Sequence, residues 1–130
     1  MKYMILTYLD EKAWLALGPE EQQREMAVCG PHVEKLLASK KLLAGAPLHP
    51  TTTATTVRHR EGKRLLTDGP FAETREQLGG YAIIEAENLD DAIAIATGFL
   101  ATSSRLKNSL EVRPIVDLGG GVPMIPDENA

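Results

Sequence analysis

The chain has little of what disulfide-bonded and metal-binding proteins depend on. Cys29 is its single cysteine, so no internal disulfide forms. The three histidines, His32, His49 and His59, are scattered and match no metal-ligand spacing with it. The sequence therefore predicts a reducing, cytoplasmic environment, no metal and no other cofactor.

Basic charge and long apolar runs are scarce as well. Fourteen Lys and Arg face 18 Asp and Glu, a net charge of −4 at pH 7. Proteins that bind the phosphate backbone carry a basic surplus, so we expect no direct contact with nucleic acid. No apolar run reaches membrane length, and the N-terminal apolar stretch meets Asp10 and Glu11 without a cleavage site. We expect neither export nor membrane insertion.

The length of the chain, 130 residues, fits one domain and excludes two. We place that domain at residues 1–117. Three glycines and two prolines follow it in residues 118–130, which predicts an extended C-terminal tail. Aromatic residues are sparse at 5% in an otherwise ordinary globular composition, and this composition identifies no substrate.

Hydrophobic periodicity divides the domain into alternating elements. The run 3–9 predicts a central strand, because it is apolar on both faces. A helical region begins at Gly18-Pro19, and the stripe facing the core would comprise Met26, Cys29, Val33, Leu36 and Leu37. Pro31 interrupts it, which predicts a kink there or two helices meeting at residue 30. Then come a strand at 42–46, a hairpin at 55–67, a strand at 81–86, a helix capped by Asn88, and a strand at 110–117.

This order is a doubled βαβ unit with an inserted hairpin, which predicts an α+β ferredoxin-like sandwich. Two helices cover only one face of its sheet. Because strand 3–9 is apolar on both sides, the second face needs a cover, most simply the same face of another copy. We therefore expect a homodimer.

His32 is the first candidate for chemistry. It lies one position from the apolar stripe, where a histidine is usually a half-buried packing residue or a solvated one. The alternative is general acid/base work, because imidazole titrates near neutral pH. A carboxylate would then orient the ring, and Asp68 is the candidate partner.

The second candidate is the loop that begins at Asp68-Gly69. A turn explains these residues, with Asp68 accepting backbone N–H bonds and Gly69 at positive φ. A carboxylate fixed beside a glycine also suits ligand binding. The charged run 73–77 that follows predicts a solvated turn of helix. Alternatively, the guanidinium group of Arg75 binds an anionic substrate through two parallel hydrogen bonds.

Residues 67–81, TDGPFAETREQLGGY, resemble the signature of the YCII-related family in its DGPF-motif branch. Four further segments extend this resemblance over residues 1–116: MKYM at 1–4, TTVR at 55–58, LDDA at 89–92 and EVRPI at 111–115. The resemblance implies a dimeric α+β barrel, a bacterial origin and an enzymatic role that rests on a recurrent His and Asp. Some relatives are fused to a sigma factor, which implies a role in transcription instead.

The helical histidine of the family falls on His32, because Leu36-Leu37 and then 43–45, LAG, follow it. Family members with that histidine tend to carry an acidic residue after the second strand. This chain reads GAPLHP at 45–50, without an acid. Asp68 takes that place only if the fold brings it to the same pocket.

Two functional hypotheses follow. In the first, His32 and Asp68 form a catalytic pair, His32 moves a proton in an isomerase- or lyase-like reaction on a small organic anion, and Gly69 and Arg75 bind the substrate. In the second, the chain is a non-catalytic module that binds a small ligand or docks onto a sigma factor. The sequence leaves open whether the chain is an enzyme.

Overall fold

A computed structural model describes residues 1–100 and 106–117 of the chain, so the predicted tail at 118–130 lies outside the described residues. The elements are, in order, β1 (Lys2–Asp10), α1 (Glu11–Leu15), α2 (Pro19–Val28), α3 (Gly30–Ala38), β2 (Leu42–Pro47), a 3-10 turn (Thr51–Thr53), β3 (Thr55–Arg60), β4 (Lys63–Asp68), β5 (Glu76–Glu85), α4 (Leu89–Thr97) and β6 (Asn108–Pro114). The predicted mixed α+β class is confirmed.

Four of the strands form one antiparallel sheet in the order β2-β5-β1-β6. The apolar run predicted to be central is β1, which lies between β5 and β6. With β1 and β5 at the centre and the helices as crossovers, this arrangement is compatible with the predicted ferredoxin-like fold. The inserted hairpin, β3 and β4, forms a separate two-stranded sheet.

Among the residues that the structure describes, the buried core lies on one face of the sheet. Alternate residues of β1, Tyr3 and Ile5, are buried with Ile84 of β5. Leu36 of α3 and Ile95 of α4 belong to the same buried cluster. Because both helices reach the same strand residues, they lie on the same face.

The opposite face of the sheet, the open face, carries apolar residues of the two central strands. Leu6 pairs with Tyr81, and Met4 pairs with Ile83. All four side chains are half-buried, and the helices that cover Ile5 and Ile84 lie on the other side. Within residues 1–100 and 106–117, the sheet therefore has one helix-covered face and one apolar face that no helix covers.

The helical region splits into α2 and α3, so the prediction of two helices meeting at residue 30 is confirmed. The predicted core stripe across it is partly wrong. Leu36 is buried, but Met26 and Leu37 are exposed. The helix ends at Val28 and restarts at Gly30, so residue spacing alone no longer decides which side chains face the core.

The charged run 73–77 is not helical, and its prediction as a helical turn is wrong. β5 begins at Glu76, where the chain pairs with Asp10 of β1. The two strands slip by one residue at Gly79, since Thr7 pairs with Gly80 and Tyr8 with Leu78. Backbone pairing outweighs the helical tendency of this charged segment.

Candidate functional site

His32 lies on α3 but packs against α4. Its Nε2–H donates to the carbonyl oxygen of Ile95 at 2.8 Å, and its ring meets that of Phe99 edge-on with centroids 4.8 Å apart. Gly98 permits this close approach, because a Cβ there would lie 2.3 Å from Nε2. A carbonyl oxygen only accepts, so Nε2 carries the proton and any basic role is left to Nδ1.

Asp68 and Gly69 lie where the hairpin ends. Asp68 is exposed, and its backbone pairs with that of Thr55 at the base of the hairpin. The amide of Gly69 donates to the carbonyl oxygen of Ala54 at 2.7 Å, and Thr56 donates its hydroxyl to the carbonyl of Gly69 at 2.7 Å. Gly69 has φ +99°, the positive value predicted for it. Hydrogen bonds to the Gly69 backbone, rather than to the Asp68 carboxylate, close the hairpin.

The structure does not join His32 to Asp68 by a hydrogen bond. The His32 ring lies between α3 and α4, whereas Asp68 lies at the end of the exposed hairpin. Neither residue lines either of the two cavities described next. Their roles as a catalytic pair stay a prediction.

The larger cavity is an open groove of about 770 Å³ between the helix-covered face of the sheet and the helices α1, α2 and α3. We call it the sheet–helix groove. Its volume lies within the range of about 300–1,000 Å³ typical of small-molecule pockets. Its walls are mainly apolar, with Ile5 and Leu9 from β1, Trp14 from α1, Met26 from α2, Val33 from α3 and Phe99 after α4.

The charge along the sheet–helix groove is of one sign. Glu11 and Glu25 line it, and no Lys or Arg does so among residues 1–100 and 106–117. Glu11 is engaged at the rim, where its Oε1 accepts from the Thr51 amide at 2.8 Å and the Thr51 hydroxyl at 2.9 Å. The groove therefore combines apolar walls with carboxylates and without a described cation.

Cys29 places a half-buried thiol in the wall of the groove, at the junction of α2 and α3. Burial raises the pKa of this thiol, and the nearby Glu25 carboxylate raises it further. Both effects disfavour the thiolate, which is the reactive form. The thiol therefore adds weakly polar surface to the groove rather than an activated nucleophile.

The second cavity, of about 730 Å³, lies beside the loop that follows the hairpin. We call it the loop cleft, and Tyr8, Asp10, Phe71, Arg75 and Lys107 line it. Arg75 is 92% exposed, with its Nε 4.0 Å from Asp10 Oδ2. Arg75, predicted to bind an anion, thus already faces a carboxylate across an open cleft.

Metal-ligating clusters and membrane-spanning helices are both absent from the part of the chain that the structure describes. Within residues 1–100 and 106–117, no group of three or more His, Cys, Asp or Glu side chains is placed to hold a metal ion. In the same part of the chain, no helix combines the length and the apolar character needed to cross a membrane.

The sheet–helix groove was not predicted from the sequence. Trp14, Cys29 and His49 line it from three separate segments. No short motif connects them. His49 has no partner in the sequence, which predicts a surface or structural residue. The available signal was Trp14, the one tryptophan of the chain, which stands in the short segment between strand 3–9 and Gly18.

Comparison with known proteins identifies the family of the chain. The model of the YCII-related domain matches residues 1–118. An uncharacterized protein of Rhizobium meliloti (strain 1021) is 40% identical over 115 residues, which cover 88% of this chain and 92% of that protein. The family match spans the sheet, the hairpin and helices α1 to α4. The chain belongs to the YCII-related family.

Proposed function

We propose that the chain binds a small, largely apolar molecule without negative charge in the sheet–helix groove. The observation that carries this proposal is the cavity of about 770 Å³ itself, with its apolar walls and its two carboxylates. Ligand pockets have this form, in which hydrophobic and aromatic side chains supply most of the contact area and a few polar groups orient the ligand.

The charge of the ligand follows from the groove. A carboxylate ligand would meet Glu11 and Glu25 without a cation to offset them among the described residues, and repulsion in a partly desolvated groove weakens binding. A neutral or cationic ligand avoids this repulsion. Trp14 favours a cation further, since its ring face attracts one.

The proposal uses neither His32 nor Asp68. His32 has Nε2 committed to the Ile95 carbonyl, and the exposed Asp68 has no described hydrogen-bond partner for its carboxylate. Arg75, the predicted anion fork, lines the loop cleft instead of the groove. These positions favour the binding hypothesis over an isomerase- or lyase-like reaction on a small organic anion.

Three probes of similar shape test the proposal: phenethylamine, 2-phenylethanol and 3-phenylpropanoate. We expect the amine and the alcohol to raise Tm and the carboxylate to have little effect. At 100 times its Kd a ligand adds about 2.7 kcal/mol of stability. That corresponds to a Tm rise of about 10 °C for a domain of this size.

Matched variants locate the binding. Val28→Trp fills the groove that Val28 lines, whereas Leu37→Trp adds the same ring at an exposed position outside it. Val28→Trp should abolish the shift, and Leu37→Trp should preserve it. Equal stabilisation by the carboxylate, or a shift unchanged in Val28→Trp, would refute the proposal.

We further propose that a second copy covers the open face. Met4, Leu6, Tyr81 and Ile83 form an aliphatic and aromatic surface there, and a monomer rarely leaves such a patch uncovered. Leu6→Lys should then convert a dimer into a monomer in sedimentation experiments. A wild-type chain that is monomeric at micromolar concentration would contradict this.

The remaining family expectations, the DGPF-motif branch, a cytoplasmic location and association with a sigma factor, stay predictions. A pull-down with the intact chain tests the last of them. Stoichiometric recovery of a sigma factor would favour the transcription-associated module over a metabolite-binding protein.

A further inference from the structure

The hairpin of β3 and β4, which we call the arm, stands apart from the rest of the chain. Of its twelve strand residues only Thr56 is half-buried, and the others are exposed. Its base is held by the backbone bonds to Gly69 and by a bond from the Arg58 guanidinium to the Phe71 carbonyl. A lone two-stranded hairpin is marginally stable in water. Contact with another surface would stabilise this one.

One face of the arm presents an aliphatic pair, Val57 with Leu66. On the same face this pair lies between His59–Arg64, toward the turn, and Thr55–Asp68, toward the base. Val57 is 64% exposed and Leu66 55% exposed. Charged residues commonly protect open β edges from association. An exposed aliphatic pair instead favours association with another surface. This Val57–Leu66 face therefore has the composition of a contact surface.

The arm also carries charge opposite to the rest of the molecule. Residues 55–68 contain four Lys and Arg against two Asp and Glu, whereas the whole chain has a net charge of −4. The net charge outside the arm is therefore −6, since the arm itself carries +2. Opposite charges favour contact between the arm of one molecule and the body of another.

A complementary surface lies at the start of α4. Leu89 and Ile93 are exposed there, one helical turn apart on one side of the helix. Glu87 and Asp90 lie beside them, and neither carboxylate has an ion pair or hydrogen bond within the described part of the chain. We call these four residues the α4 patch. The aliphatic groups here match Val57 and Leu66, and the carboxylates match Arg64, the basic residue of the arm that shares their face.

We propose that the Val57–Leu66 face of the arm packs on the α4 patch of a second copy of this chain. The contact is between copies, because within one chain both surfaces are exposed. It is independent of the proposed ligand, since no residue of the α4 patch lines the sheet–helix groove. It also differs from packing through the open face in depending on charge, so salt weakens it.

Disulfide trapping between differently tagged chains tests this contact. In a Cys29→Ser background, chains carrying Leu66→Cys are mixed with chains carrying Ile93→Cys under mild oxidation. The mixed disulfide should form at least ten times faster than between Leu66→Cys and Leu37→Cys, a control cysteine at an exposed position of α3. Equal rates for the two pairs would overturn the proposal.

A charge exchange between the two surfaces provides the second part of the test. Arg64→Glu in the Leu66→Cys chain should slow trapping several-fold, and Asp90→Lys in the Ile93→Cys chain should restore it. Failure of that restoration would overturn the matched-charge contact. Binding of the arm to a short DNA duplex, lost in Arg64→Glu and accompanied by control-level trapping, would assign the arm to nucleic acid and refute the proposal.

Discussion

The four-stranded sheet and the arm are built alike and packed differently. Both are antiparallel with continuous register over most of their length. The sheet buries Ile5 and Ile84 under helices, whereas the arm leaves Val57, Leu65 and Leu66 exposed. Strand pairing alone therefore decides neither stability nor role. The sheet is covered by helices on one face and forms one wall of the groove. The strands of the arm are exposed and are therefore available for contact.

The largest difference between the two regions should appear in core truncation. Ile84 has 0% exposure, so Ile84→Ala should cost about 2–5 kcal/mol of unfolding free energy. Leu66→Ala on the arm should change it by less than about 0.5 kcal/mol in the monomer. Urea denaturation at low protein concentration measures both. Similar losses would mean that the arm packs on its own chain.

A smaller contrast separates His32 from Asp68. His32→Ala removes the bond to Ile95 and the contact with Phe99, and should cost about 1–3 kcal/mol. Asp68→Asn alters an exposed carboxylate and should stay within about 0.5 kcal/mol. The double variant should equal the sum of the two within about 0.5 kcal/mol in urea denaturation. A coupling energy above that would show that the two residues interact after all.

Glycine substitution probes the joint between the arm and the body. Gly69→Ala should lose more than about 1 kcal/mol, because φ is +99° and an L side chain is strained there. Gly30 begins α3 in open space, so Gly30→Ala should be neutral or stabilise by up to about 1 kcal/mol. Thermal denaturation compares the two. Destabilisation by both would contradict the backbone argument.

The smallest expected effect concerns the thiol in the groove. The pKa of Cys29 is raised, first by burial and then by Glu25, so the neutral thiol is favoured in the folded chain. Its contribution to stability is present below the unfolded-state pKa and is lost as pH rises through the folded-state value.

Glu25→Gln removes the smaller of these causes and should speed alkylation of Cys29 by iodoacetamide at pH 8. The pH profile of the alkylation rate should move to lower pH in this variant. Gln23→Glu, on the exposed side of α2, serves as the charge control and should leave the profile unchanged. An unshifted profile in Glu25→Gln would leave burial as the whole cause.

Local signals in the sequence were sufficient for most elements of the fold. The unbroken apolar run predicted the central strand β1, alternation around Gly62 predicted the hairpin, and Asn88 caps α4 by accepting from the Asp91 amide at 2.9 Å. These features depend on neighbours in the chain. They did not reveal that the hairpin forms its own sheet, because alternation does not specify a strand's partners.

The candidate site was far less predictable. The groove is assembled from β1, three helices and β5, and its composition emerges only when these meet. His32 was selected because imidazole suits proton transfer, but the sequence did not show that the Ile95 carbonyl occupies its Nε2. Residue chemistry narrows candidates, whereas three-dimensional packing decides which of them face a ligand.

Fluorescence of Trp14 tests the central claim most directly, because it is the one tryptophan of the chain and lines the groove. Titration with phenethylamine or 2-phenylethanol should change the emission saturably, and 3-phenylpropanoate should bind at least tenfold more weakly. Val28→Trp adds a second fluorophore, so Val28→Phe serves here as the blocked groove and should weaken the response. Equal affinity for the carboxylate, or saturable binding of the amine without any change in Trp14 emission, would contradict the account.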